Sequence, residues 1–361
     1  MNRRNFIKTS LCMGAAASVC GCAYCSKIIY DSIHPENKFK LKSISDLPKY
    51  VRLDACNKCQ LNCPGCAIRK LEKEIIAKAK GFGYLKFKDF KEFADKHNFI
   101  KEIELSNNGE IFLNPELDDI IKYAYEKGIT LTAYNGVNLN TVSEKTLENL
   151  VKYKFKRITV SIDGATPEVY KIYRRGGDFN TVINNIKTIN KFKRQYHSEY
   201  PYLTWQFILF GHNEHEIDKA KKFAKELDMN ISFIINTAKD YSPIINKTVV
   251  EEKTGVKFLE NSDKAFFSNI GWQNIFCLFL KNSPQINFNG DLLGCCLLST
   301  QTFQVNVFKE GLLNALNHKN VIKAKLMLSD LSVEGDENVP CTNCSTYKIL
   351  KEENRPVIWN G

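Results

Sequence analysis

The chain reads as an α/β protein, and three observations carry that reading. Six short apolar stretches have strand length and composition: Tyr50–Leu53, Glu102–Ser106, Ile129–Tyr134, Arg157–Ile162, Tyr202–Leu209 and Ile231–Asn236. Segments with apolar residues at helical spacing lie between them. The regular alternation of the two implies parallel βαβ units. Right-handed crossovers would fold these into an open doubly wound sheet or an incomplete barrel. No glycine-rich dinucleotide fingerprint follows the first strand, which argues against a Rossmann domain.

Caps and faces place the helices. Phe87, Phe90 and Phe93 mark the first. The second has Asn114 as cap and Pro115 at the first helical position, and turns Leu117, Ile120, Ile121 and Ala124 inward before Gly128. A third starts at Ser143 and carries Leu147, Leu150 and Val151; a fourth runs from Asn180 with Val182, Ile183, Ile186 and Ile189. A fifth follows Asn213 with Ile217, Ala220, Phe223, Ala224 and Leu227. The expected organisation is an apolar segment at 1–26, a polar linker at 27–48 and the α/β core at 49–240. A connection at 241–270, a cysteine-bearing module at 271–350 and a tail at 351–361 complete it.

With 361 residues, 43% hydrophobic and 25% charged, the chain can bury a substantial core. Its net charge of +11 comes from scattered lysines, with no arginine-rich run interleaved with aromatics, so no nucleic-acid partner is expected. Thirteen cysteines say more. They fall into three clusters: Cys12, Cys20, Cys22 and Cys25; Cys56, Cys59, Cys63 and Cys66; and Cys277, Cys295, Cys296, Cys341 and Cys344. Disulfide frameworks belong to short secreted domains. Tight C-x2-C and C-x3-C spacings suit metal better, because neighbouring thiolates on one loop converge on one ion or cluster.

Cys59-Gln60-Leu61-Asn62-Cys63-Pro64-Gly65-Cys66 follows the first strand, where the loops of a parallel α/β domain build its active site. Three thiolates can hold three irons of a 4Fe–4S cube and leave the fourth open, whereas an electron-transfer cluster is normally closed by four cysteines. Cys56-x2-Cys59 with Cys63-x2-Cys66 offers the alternative of a four-cysteine zinc or ferredoxin-like site.

The C-x3-C-x2-C spacing of Cys59, Cys63 and Cys66 resembles the signature of the radical S-adenosylmethionine superfamily. The resemblance spans about residues 48–240 and continues into the C-terminal module. It implies a partial (β/α)6 TIM-like barrel with a small C-terminal cysteine-rich auxiliary-cluster domain. It also implies a three-cysteine 4Fe–4S cluster that binds S-adenosylmethionine and cleaves it reductively to a 5′-deoxyadenosyl radical. Asn108-Gly109-Glu110 stands where the family has Gly-Gly-Glu, implied to hold the amino group, with Asn108 in place of the first Gly. Asn135-Gly136 follows the third strand, and Ser161-Ile162-Asp163-Gly164 closes the fourth. Arg174 or Arg175 lies downstream. The implied contacts of Ser161 and Arg174 are with the ribose and carboxylate, and Asp163 is counted with them among the cofactor-binding residues. An Asp-Gly pair by itself is more often a turn.

Cys277-x12-Gly290-x4-Cys295 precedes Cys341-x2-Cys344, and this resembles the auxiliary domains called SPASM and twitch. A hairpin with strands Gln285–Phe288 and Asp291–Gly294 around Asn289-Gly290 fits its middle. The resemblance implies one auxiliary 4Fe–4S cluster on Cys277, Cys295, Cys341 and Cys344; a zinc ribbon has the same spacing. Cys296, pointing oppositely to Cys295, reads as a packed thiol. With no cysteine after Cys344, the shorter twitch form is expected.

At the start, Asn2-Arg3-Arg4-Asn5-Phe6-Ile7-Lys8 resembles a twin-arginine export signal followed by a weakly apolar run. Val19-Cys20-Gly21-Cys22 loosely resembles a lipoprotein box that would lipidate Cys22. Export or membrane attachment is one expectation and a cytoplasmic enzyme, where S-adenosylmethionine is made, the other. The expected function is hydrogen abstraction from a peptide, protein or small molecule, with flavodoxin or ferredoxin as electron donor. The alternative is an exported multi-cluster electron carrier or a zinc-ribbon protein. His212 and His215, past the fifth strand, read as surface-turn residues.

Overall fold

The computed structural model describes residues 34–66, 81–236, 240–258, 272–295 and 301–359. The twin-arginine-like run, Cys22 and Cys296 lie outside them. The chain divides into two compact units, Pro48–Leu312 and a smaller one formed by the residues up to Leu47 and from Leu313.

The larger unit alternates as its sequence predicts. Strand β1 (Tyr50–Leu53) precedes α1 (Phe87–Lys96), β2 (Glu102–Glu104), α2 (Leu117–Glu126), β3 (Thr130–Val137) and α3 (Glu144–Lys152). Then come β4 (Arg157–Ser161), α4 (Pro167–Tyr173), α5 (Phe179–Gln195), β5 (Tyr202–Leu209), α6 (Ile217–Glu226) and β6 (Asn230–Ile235). Helices α7 (Lys247–Thr254) and α8 (Trp272–Asn282) lead to the short strands β7 (Gln285–Ile286) and β8 (Leu292–Gly294). Among the described residues these strands form one sheet in the order β6-β5-β4-β3-β2-β1-β7-β8. All pairs are parallel except the β7–β8 hairpin. β6 and β8 do not pair, so the fold is the α/β partial barrel.

One face of the sheet is apolar. Val51, Leu53, Ile103, Leu131, Ala133, Ile158, Val160, Leu203, Trp205, Phe207 and Leu209 are buried, as are the inward residues of α1, α2, α3, α5 and α6. Helix starts follow their capping chemistry. Ser143 Oγ accepts from Thr146 N at 3.1 Å, and Asp178 Oδ1 from Thr181 N at 2.6 Å. Asn114 departs from its expected role. Its Nδ2 is taken by Ala55 O (3.0 Å) and Leu85 O (2.9 Å), its Oδ1 accepts from Glu116 N (2.9 Å), and α2 begins only at Leu117.

The expected hairpin forms around Asn289-Gly290, where Gly290 has φ +91° and a Cβ would lie 2.6 Å from the Phe308 ring. It does not stand alone. β7 pairs with β1 through Arg52↔Gln285 and Leu53↔Ile286, so the compact division falls at Leu312 and not near 271. In the smaller unit, Leu41 and Asn317 exchange two 2.8 Å hydrogen bonds, and Phe39 packs edge-on to Trp359. Helix α9 (Lys319–Ser329) supplies much of its core, and α10 (Ser345–Glu352) follows Cys341 and Cys344. Among the described residues no helix is long and apolar enough to cross a membrane.

Trp205 is fully buried, packs on Phe223 and donates Nε1–H to Ile162 O at 2.6 Å. Trp205→Ala is expected to lower stability by about 3–5 kcal/mol, read as a lowered denaturant midpoint in an equilibrium unfolding titration.

Candidate active site

After β1 the chain enters the cysteine loop, and neighbouring strand ends hold it. Ala55 N donates to Leu105 O at 3.1 Å, and Glu110 N to Lys58 O at 2.8 Å. Gly109 (φ +68°) lets the two loops meet: a Cβ there would lie 2.4 Å from Cys56 O and 2.6 Å from Lys58 O. Asn108 Nδ2 donates to the buried Asp54 at 2.8 Å, and Asn62 N to Arg175 O at 2.8 Å.

The loop gathers its sulfurs on one wall. Cys63 is buried with Leu61, Tyr173 and Phe210, and the half-buried Cys59 and Cys66 pack on the same cluster beside Ile208 and Tyr241. Burial pushes the Cys59 thiol up to about 11, with Glu110, Cys63 and Cys66 adding to the effect. Burial raises Cys63 too, against the pull of Arg174. Asn138 Nδ2 donates to Cys59 Sγ at 3.8 Å and Arg174 Nη1 to Cys63 Sγ at 3.7 Å. Three thiols in an aromatic shell, with N–H donors on two sulfurs, fit an iron–sulfur cluster. Among the described residues no three His, Cys, Asp or Glu side chains converge as a single metal ion would need. Cys56 stands outside this wall, fully buried, its sulfur accepting from Lys58 N at 3.4 Å.

The other predicted residues fall on the adjoining loops. Glu110 is buried and its carboxylate accepts from Asn138 N (2.6 Å) and Phe112 N (3.3 Å), tying the loop after β2 to the end of β3. Burial pushes its pKa up to about 7 against those two amides. Asn135 is exposed and donates to Asn107 Oδ1 at 3.0 Å. Gly136 (φ +115°) leaves room for Ser161 Oγ, which would meet a Cβ at 2.5 Å. Asp163 accepts from Ile208 N at 2.7 Å and from Arg174 Nε at 2.5 Å. Burial alone would lower the Arg174 pKa, but Asp163 and Cys63 raise it, so the guanidinium stays charged. Arg175 is exposed and turned to Ile172 O. Cys277 and Cys295 belong to the larger unit, Cys341 and Cys344 to the smaller.

The second face of the sheet was not anticipated. Arg52, Glu104 and Thr132 share a register row, and Thr159 and Ser161 pair with Thr204 and Gln206. Glu104, fully buried, accepts from Ser106 N, Ser106 Oγ, Thr132 Oγ1 and Tyr134 N at 2.5–3.1 Å. The signal was present in Tyr50-Val51-Arg52-Leu53 and Glu102-Ile103-Glu104-Leu105. Strands covered by apolar layers on both faces are nearly continuous hydrophobic runs, so strict alternation marks a polar interior. His212 also differs from expectation: it is half-buried, stacks on Phe210 at 4.9 Å and lies 2.7 Å from Ser242 Oγ. His215 is exposed. A hollow lined by Lys193, Arg194, His197 and Asp228 lies beside the entries of β5 and β6, away from the cysteine loop.

Residues 54–224 match the family described as the Radical SAM superfamily. The chain is 26% identical over 227 residues to a cysteine-type anaerobic sulfatase-maturating enzyme of Clostridium novyi, covering 54% of this chain and 56% of that protein. It is 24% identical over 218 residues to a GTP 3′,8-cyclase of Limosilactobacillus fermentum, covering 55% and 56%. The chain spans a little over half the length of these curated relatives. Its fold is similar to that of Streptococcus suis SuiB bound to S-adenosylmethionine, with a TM-score of 0.58 at 14% identity over 96% of this chain and 82% of that one.

Two outcomes are expected of the site. Gly109→Ala combines a positive φ with backbone overlap and is expected to displace the cysteine loop, seen as a lowered iron content after anaerobic reconstitution. Glu110 keeps its proton to about pH 7 when folded but releases it near 4.5 when unfolded. The folded state therefore binds more protons in that window and loses up to about 3 kcal/mol as pH rises through it. Stability measured from pH 5 to 7 is expected to fall less steeply in Glu110→Gln than in the parent.

Proposed function

We propose that this chain, which belongs to the Radical SAM superfamily of enzymes, holds a 4Fe–4S cluster on Cys59, Cys63 and Cys66 and takes a hydrogen atom from its substrate through a 5′-deoxyadenosyl radical. Bound there, the cluster supplies the electron that cleaves S-adenosylmethionine to that radical. The observation that carries this reading is the packing of three thiols against one apolar wall, in a loop hydrogen-bonded to the segments that follow β2, β3 and β4.

In this reading Asn138 and Arg174 donate to the sulfurs and favour thiolates, while Tyr173 and Phe210 keep water from them. Asn108, Gly109, Glu110, Asn135, Ser161, Asp163 and Arg174 form the S-adenosylmethionine site. Glu110 serves it by shaping the loop, since both its acceptor oxygens are committed to backbone amides. Asp163 serves it by orienting Arg174. The polar face of the sheet receives the substrate. Cys277, Cys295, Cys341 and Cys344 hold one auxiliary 4Fe–4S cluster of the twitch kind, a reading supported by their spacing and by the hairpin that ends at Cys295. Held there, that cluster would supply an electron acceptor for net oxidation, with flavodoxin or ferredoxin as the electron donor to the chain. The substrate is a peptide, a protein or a small molecule. The peptide class has support from the fold neighbour SuiB, solved with its precursor peptide SuiA. The twin-arginine-like run supports export or membrane attachment of the loaded chain.

Anaerobic reconstitution followed by metal analysis and assay of 5′-deoxyadenosine with dithionite tests the reading. About eight irons per chain, as two 4Fe–4S clusters require, and 5′-deoxyadenosine are expected; zinc, or no cleavage, overturns it. Cys63→Ala is expected to abolish cleavage. Cys344→Ala is expected to retain cleavage while losing about half the iron, as one of two 4Fe–4S clusters.

A further inference from the structure

We propose that Arg52 anchors a carboxylate group of the substrate on the polar face of the sheet. This deepens the proposed function, and rests on it for the claim that substrate occupies that face. Arg52 lies on β1 and is 4% exposed. Its register neighbour is Glu104, so both side chains project to the same side. Nη1 donates to Asn107 Oδ1 at 3.3 Å and Nη2 to Tyr134 OH at 3.1 Å. The guanidinium lies over the Phe279 ring at 4.1 Å and 5.8 Å from the Tyr134 ring centroid.

All of these partners are neutral. Nε is buried without an acceptor. Glu104, the nearest carboxylate in the register, is spent on four donors from Ser106, Thr132 and Tyr134. Asp54 is held by Asn108 and Gln285. Among the described residues Arg52 makes no carboxylate ion pair. An arginine cannot shed its proton, and a buried guanidinium N–H left without an acceptor is costly. A fold retains such a group where a ligand supplies the anion.

The free donors set the ligand's chemistry. Nε–H and the remaining Nη–H groups form a planar fork, which matches the two oxygens of a carboxylate. Among the described residues no second cation contacts Arg52, which favours a singly charged group over a phosphate chain. The position is connected to the candidate site. Asn107 Oδ1, the acceptor for Arg52, also accepts from the exposed Asn135 on the third strand. Three residues thus lead from the buried guanidinium to the surface beside the S-adenosylmethionine loops.

The test is thermal unfolding of the reconstituted full chain without reductant, titrated with glutarate, its neutral analogue glutaramide, or inorganic phosphate. Glutarate is expected to raise the melting temperature saturably, and glutaramide and phosphate are not. Arg52→Met removes the charge and the fork together, and its own ligand-free melting temperature is the baseline of its titration. It should raise the half-saturating glutarate concentration about tenfold or more. Arg52→Lys keeps the charge but loses the fork, and is expected to weaken glutarate binding too, which maintains the test if the Met variant does not fold. An equal glutarate response in parent and variants, no response in the parent, or a response to phosphate alone overturns the proposal. S-adenosylmethionine cleavage plays no part in this titration. A chain that yields 5′-deoxyadenosine yet ignores glutarate refutes the anchor alone.

Discussion

Everything at the reactive end of the sheet depends on one backbone contact, the donation from Glu110 N to Lys58 O across the bare Cα of Gly109. It fixes the cysteine loop to the second strand end. From there the order spreads: the Glu110 carboxylate grips Asn138 N, and Asn138 turns its amide to Cys59 and Gln60. On the other side Asp163 aims Arg174 at Cys63. Four strand ends behave as one hydrogen-bonded body. Its buried members gain strength from the low local dielectric, and each would be costly if left without its partner.

The sheet places this assembly by dividing its residues between two environments. The apolar face packs under the helices and supplies the stability. The opposite face carries arginine, glutamate, threonine, serine and tyrosine, satisfied mostly by one another. A polar interior of this kind adds little to folding, because each hydrogen bond there replaces one with water. It is ready to exchange internal partners for those of a bound molecule.

Much of this was legible in the sequence, and the limits have physical causes. Strands Tyr50–Leu53 and Tyr202–Leu209 were read to the residue because apolar runs there end at turn formers. The cysteine loop and the Asn-Gly and Asp-Gly pairs were legible because their chemistry is local. Helix α4 was overlooked although Thr166 caps it and Pro167 opens it, since seven residues carry too little periodicity. Asn114 reads as a cap by type, but Ala55 and Leu85, far along the chain, claim its amide. The pairing of β7 with β1 joins segments more than two hundred residues apart, and no local pattern announces it. Arg52 and Glu104 were visible as an alternation, but their meaning depends on which face the helices cover.

The hairpin on β1 has a consequence for how the protein can be divided. β1 carries the cysteine loop, and its outer edge is closed by β7 through Arg52 and Leu53. A fragment ending ahead of residue 271 would uncover that edge and offer its N–H and C=O groups to any passing strand, which is how edge-to-edge aggregation begins. The C-terminal segment is therefore a shield for the strand at the centre of the chemistry.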